Sequence, residues 1–123
     1  MKKILIVDDE PDVLATLRDY FKGEKYEVET AVNGEEGVKK SETFKPDIIL
    51  LDVLMPVMDG ITALKKIKAN PATADIEAIM LTNIGDQDKV AAAMESGITN
   101  YFIKSDYSLD DLKKKIEETY LKD

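Results

Sequence analysis

The 123-residue chain has no cysteine and no histidine. The first absence excludes disulfides and thiolate nucleophiles and agrees with a cytoplasmic setting. The two together exclude zinc sites with sulfur or nitrogen ligands and every triad or general-base scheme built on imidazole. Positive charge is also short. Seventeen Lys and Arg face 25 Asp and Glu, a formal net charge of −8, which argues against nucleic acid or an anionic membrane as a direct partner. No apolar run is long enough to span a membrane, and "MKKILIVDD" turns acidic too soon for a secretory signal. There is no internal repeat, low-complexity tract or interdomain linker.

What remains is an ordinary globular composition, 44% hydrophobic and 34% charged, on a chain long enough for one core. We therefore expect residues 1–123 to form a single domain, with no output domain in the chain. Any site must be assembled from carboxylates, hydroxyls, lysines and backbone, a set that suits a hard cation and a phosphoryl group.

Two hydrophobic periods alternate along the chain. "KILIV" (3–7) predicts a buried strand, and "PDVLATLRDYFKG" a helix with Val13, Leu14, Leu17, Tyr20 and Phe21 on one face, Pro11 in its first turn and Gly23 as its stop. "YEVETAV" (26–32) predicts a second strand. Asn33 and Glu36 then have capping-box spacing for a helix. "DIILL" predicts a third strand, buried on both faces, and a loop through Asp59-Gly60 leads to a helix with Ile61, Leu64 and Ile67 inward. "IEAIMLT" (76–82), a helix over 86–97, "TNYFI" (99–103) and a helix over 108–121 opened by a Ser108/Asp111 box complete the pattern. Five strands alternating with five helices imply α/β architecture, an open doubly wound parallel sheet with helices on both faces.

In such a sheet, ligands bind beyond the C-terminal strand ends, where strand order reverses. Those ends carry Asp8 and Asp9, Asp52, Thr82 and Lys104. A lone Asp at a strand end is usually a turn or cap residue, and a lone Thr or Lys there says little. The joint pattern is informative, because all five sit at the same end of their strands. Converging carboxylates repel, and a magnesium ion relieves that repulsion while leaving room for phosphate oxygens. A carboxylate can itself accept a phosphoryl group. Asp52, aimed by a rigid strand, is the expected acceptor, with Lys104 and Thr82 on the phosphoryl oxygens and Pro56 and Gly60 shaping the loop that follows.

"ILIVDDE", "LLDVLMPVMDG", "MLTN" and "YFIKS" resemble the marks of the response-regulator receiver domain of two-component signalling, in order and over nearly the whole chain. The resemblance implies a flavodoxin-like five-stranded sheet of order 2-1-3-4-5. It also implies phosphorylation of Asp52, magnesium held by Asp8, Asp9, Asp52 and the backbone carbonyl of Leu54, and Tyr101 as a switch residue that changes rotamer. The implied donor is a phosphohistidine on a sensor histidine kinase or histidine phosphotransfer protein. The output would be altered binding of a downstream protein at the surface of the fourth helix, fifth strand and fifth helix. Such a protein is no enzyme beyond its own phosphorylation and dephosphorylation. Ser105 stands where the family commonly has proline, and Asn83 where a small residue is frequent. These departures keep one alternative in view, a phosphate-independent protein-binding module. An aspartyl-nucleophile phosphatase would need Asp-x-Asp after the first strand, and a flavin or nucleotide domain a phosphate-cradling loop. Neither is present.

Overall fold

Ile48, Ile49, Leu50 and Leu51 have no exposed surface, the burial expected of a strand covered on both faces. They belong to β3 (Ile48–Asp52), the centre of a five-stranded sheet completed by β1 (Lys2–Val7), β2 (Tyr26–Ala31), β4 (Glu77–Thr82) and β5 (Asn100–Ile103). The computed structural model describes residues 2–22, 26–53, 55–82, 100–103 and 108–119, with the backbone alone for 82, 100–103 and 119. All neighbouring strands are parallel, in the order β2-β1-β3-β4-β5. Between strands lie helices α1 (Pro11–Phe21), α2 (Gly34–Phe44) and α3 (Gly60–Ala69), and the last helix spans Leu109–Thr119.

Because strand side chains alternate, even a continuous apolar run serves two cores. Ile4, Ile6, Ile48, Leu50, Ile79 and Leu81 pack on one face with Leu14, Leu17 and Phe21 of α1 and Leu112 and Ile116 of the last helix. Leu5, Val7, Ile49, Leu51 and Met80 pack on the other with Leu64 and Ile67 of α3. α2 approaches β1 through its smallest residues. Gly34, Gly37 and Ser41 form its buried face, and both Val7 methyls lie 3.0 Å from where a Gly37 Cβ would stand.

The caps expected at Asn33 and Ser108 are formed, and Asp59, expected only to lie in a loop, caps α3. The Asn33 side chain accepts the Glu36 N–H at 2.8 Å, Asp59 accepts from Thr62 at 2.7 Å, and Ser108 from Asp111 at 3.1 Å. Several strand bounds differ by one residue from those expected, with β1 beginning at Lys2, β4 at Glu77 and β5 at Asn100, and the shifts in β2 and β3 move named residues. β2 ends at Ala31, leaving Val32 half exposed. β3 begins one residue later and includes Asp52, which pairs in the ladder with Leu81. A strand that continues through the acid holds its backbone more firmly than a loop would. The helix expected over 86–97 lies outside the described residues. The last helix is tied to α1 by the Tyr20 hydroxyl, which donates to Asp110, and by Lys113 over the Tyr20 ring.

Register brings the functional ends together. Val7 pairs with Leu51, Asp52 with Leu81, and Thr82 with Ile103. The C-terminal ends of β1, β3 and β4 thus share one rim, and between β1 and β3 the order reverses.

Candidate functional site

At that reversal point the carboxylates of Asp8, Asp9, Glu10 and Asp52 lie with oxygens within 4.8 Å of one another. Asp8 is fully buried just beyond β1, where its N–H donates to the Ala31 carbonyl at 3.1 Å and carries the β1–β2 pairing one residue further. Its Oδ1 accepts the Glu10 N–H at 2.9 Å, turning the chain into α1. Asp52 is 3% exposed, and its Oδ1 accepts the N–H of Val53 at 2.9 Å. Asp9 and Glu10 stand exposed above this buried pair.

The donor set is oxygen only, with one side in protein and one in solvent. It fits a hard divalent cation that keeps part of its water shell, and magnesium is the ordinary choice for such a half-built site. Thiolate- or imidazole-seeking metals have no ligand here.

The loop after Asp52 is fastened at both ends. The Gly60 N–H donates to the Val53 carbonyl at 2.8 Å. A Cβ on Gly60 would lie 2.0 Å from the carbonyl oxygen of Asp52, so only glycine lets the first turn of α3 rest on the backbone of the strand end. At the other end of the loop, the Gly34 N–H donates to the Met58 carbonyl at 3.0 Å. Gly34 also lacks the Cβ that would fall 2.3 Å from that oxygen. Between these fastenings the Met58 N–H reaches back to the Pro56 carbonyl at 2.7 Å, with Val57 at φ 68°. The shaping role expected for Pro56 and Gly60 thus has a physical form: one accepts a tight turn, the other removes a collision.

Of the residues singled out from sequence, Asp8, Asp9 and Asp52 come together. Thr82 ends β4 one residue beyond the partner of Asp52, on the same rim, and Tyr101 lies in β5 paired with Met80. The side chains of Thr82 and Tyr101, and all of Leu54, Asn83, Lys104 and Ser105, lie outside the described residues. Glu10 was missed. Its signal was plain adjacency, since "DDE" continues the acid run by one residue, but Glu10 also opens α1 as the residue before Pro11 and reads as a helix start.

Residues 4–117 match the sequence model of the response regulator receiver domain. The alkaline phosphatase synthesis transcriptional regulatory protein PhoP of Bacillus subtilis is 39% identical over 103 residues, covering 84% of this chain and 42% of that protein. The chain thus spans about two fifths of the length of the transcriptional regulators it matches. Chemotaxis protein CheY of Listeria monocytogenes is 38% identical over 118 residues, covering 93% of this chain and 98% of that protein. Among solved structures, Vibrio cholerae chemotaxis protein CheY4 superposes with a TM-score of 0.86 at 29% identity, covering 96% of this chain and 98% of that one.

Proposed function

The chain belongs to the response regulator receiver family, and from that premise we propose that it is a phosphoacceptor switch in which Asp52 takes a phosphoryl group from a partner phosphohistidine. The observation that carries this reading is the placement of Asp52, buried at the end of β3 with its carboxylate within 4.8 Å of those of Asp8 and Asp9.

In the reaction, a carboxylate oxygen of Asp52 attacks phosphorus, the P–N bond to the donor imidazole breaks, and an acyl phosphate forms while the imidazole leaves. Little covalent chemistry is asked of the protein, so positioning and charge do most of the work. β3 supplies positioning, holding Asp52 inside the ladder rather than on a loop. Magnesium, held by Asp8, Asp9, Asp52 and the Leu54 carbonyl, would neutralise the phosphoryl oxygens as they approach these acids. Lys104 and the Thr82 hydroxyl complete the clamp. Glu10, at the solvent edge of the same cluster, adds negative charge that a bound cation would offset.

Phosphorylation adds charge and acceptor oxygens at one end of the sheet. Thr82 is drawn toward the new group, Tyr101 turns into the vacated space, and the face of the fourth helix, fifth strand and last helix changes its affinity for a downstream protein. The donor is a sensor histidine kinase or histidine phosphotransfer protein of the cytoplasm, and the chain catalyses nothing beyond its own phosphorylation and dephosphorylation. Among the described residues no helix is long and apolar enough to cross a membrane.

Intact mass after incubation with magnesium and acetyl phosphate tests the reading, with Asp52→Asn in parallel. Gain of one phosphoryl group by the parent alone is the expected result. No gain in a folded parent overturns it in favour of a phosphate-independent binding module.

A further inference from the structure

Of the asparagines in the chain, only Asn33 is followed by glycine. The pairing matters chemically. A main-chain nitrogen can attack the side-chain carbonyl carbon of the asparagine before it, and glycine, with no Cβ to crowd that nitrogen, permits the attack best. Asn70 precedes Pro71, whose nitrogen has no proton to give up. Asn83 and Asn100 precede the bulky Ile84 and Tyr101. Asp59-Gly60 is the one Asp-Gly pair, open to the same ring closure at a slower rate.

These two pairs also start α2 and α3, and the fold treats them alike. In each, the side-chain oxygen accepts the N–H three residues on, Asn33 from Glu36 at 2.8 Å and Asp59 from Thr62 at 2.7 Å. In each, the glycine is buried. A cap by itself leaves the glycine N–H without a partner, since the first N–H groups of a helix have none within it. Here both are taken by carbonyls outside their own helix, Gly34 by Met58 at 3.0 Å and Gly60 by Val53 at 2.8 Å. The attacking nitrogen is thus tied, through the proton it must lose, to an acceptor too weakly basic to remove it. The group it would attack is held on another donor.

We propose that Asn33-Gly34 is a modification site that the fold keeps closed, and that it deamidates once the start of α2 parts from the Met58 carbonyl. In the open chain the Gly34 nitrogen loses its proton to solvent base and attacks the Asn33 side-chain carbonyl carbon. The bond from that carbon to the side-chain nitrogen breaks, ammonia leaves, and a succinimide ring joins the two residues. Water then opens the ring at one of its two carbonyls, giving aspartate or isoaspartate. The products differ in what they do to the fold. Aspartate caps a helix as well as asparagine does, and its charge suits the helix start. Isoaspartate lengthens the main chain by a methylene between the cap and Gly34, so the Glu36 and Met58 bonds cannot both be remade. None of this rests on the receiver reading.

The test holds the parent and Asn33→Asp at mildly alkaline pH, folded and in unfolding guanidinium chloride. Ammonia release and peptide masses follow the conversion, and hydrogen exchange follows the Gly34 amide. Unfolded parent should convert first at Asn33, and Asn33→Asp should release far less ammonia. Folded parent should convert at Asn33 at least about fivefold more slowly, because two hydrogen bonds must open first. That slowing should be no smaller than the protection of the Gly34 amide, since both need the Met58 bond to open. After refolding, isoaspartyl chains should unfold at lower guanidinium than aspartyl chains.

Equal rates in folded and unfolded parent overturn the closure. Equal ammonia from unfolded parent and Asn33→Asp overturns the choice of residue. Slow conversion with a freely exchanging Gly34 amide overturns the part given to Met58. Equal unfolding midpoints for the two products overturn the part given to the paired bonds.

Discussion

Gly60→Ala is a one-carbon perturbation aimed at the acceptor backbone. The added Cβ would fall 2.0 Å from the Asp52 carbonyl oxygen, 3.0 Å from its carbon and 3.2 Å from the Val53 Cα. Every one of these atoms is main chain, so no rotamer change relieves the contact. To reach even the 3.0 Å floor of real Cβ contacts, the start of α3 and the end of β3 must separate by about 1 Å. Overpacking of this kind costs about 1–3 kcal/mol. The separation also breaks the 2.8 Å bond from the Gly60 N–H to the Val53 carbonyl, which adds about 1–3 kcal/mol if the pair is left unsatisfied. The helix propensity gained by alanine returns at most about 1 kcal/mol. The net loss expected is about 1–6 kcal/mol, read as a fall of about 0.5–3 M in the urea midpoint for a domain of this size. Because the displaced atoms include the carbonyl of Asp52 itself, phosphorylation should slow as well, by up to about 100-fold for an ångström of misplacement. Gly37→Ala is the control. There the contacts are two Val7 methyls at 3.0 Å, side-chain atoms away from the acceptor. Its stability should change by less than about 1 kcal/mol, with the crowding offset by propensity, and its phosphorylation rate should hold. A Gly60→Ala protein with the parent's midpoint and the parent's rate of phosphorylation from acetyl phosphate would refute the reasoning.

Two further outcomes follow from contacts away from the acids. The Tyr20 phenol is pushed up to about 12 by its hydrogen bond to Asp110, with burial and the charges of Asp110 and Glu117 adding to the shift. A folded value above the ordinary 10.0 means that this contact stabilises fully below pH 10 and is lost as pH rises toward 12. Phenolate absorbance should therefore show one late-titrating tyrosine that disappears in Tyr20→Phe and moves down in Asp110→Asn, and an unmoved titration in Asp110→Asn would contradict the assignment. Asn33→Ala removes the acceptor of the Glu36 N–H at the start of α2. It should lower stability by about 1 kcal/mol in urea unfolding, and an unchanged midpoint would mean that water replaces the cap without loss.

Why an acid should end the most buried strand of the sheet can be answered by comparing what holds it. A carboxylate on a flexible loop could reach the metal and phosphoryl group we propose, but each encounter would first have to order the loop. Asp52 is instead placed by ladder pairing with Leu81, by apolar packing of the four residues before it, and by the N–H of Val53 on its own oxygen. The segment after it is of another kind, turning at Val57 with φ 68°.

Much of this was legible in the order of the residues. Hydrophobic period separates strand from helix because side chains alternate in one and recur every three to four residues in the other. The alternation of strands and helices then leaves few parallel topologies, and "DDE", "LLDVLMPVMDG", "MLTN" and "YFIKS" carry the family. The caps at Asn33, Asp59 and Ser108 are local chemistry within one turn of chain, so spacing alone foretold two of them and placed the third in its loop. Tertiary structure decided what depends on distances between segments far apart in sequence. The inclusion of Asp52 in the ladder required its partner Leu81, and the entry of Glu10 into the acid cluster required β3 to lie beside the start of α1. That Gly60 must be glycine follows from a carbonyl eight residues earlier folding back to within 2.0 Å of an added Cβ. The positive φ of Val57 has no local signal at all, since valine is a poor choice for that region on its own. It accompanies fastenings at Gly34 and Gly60, the first of them to a residue far away in the sequence.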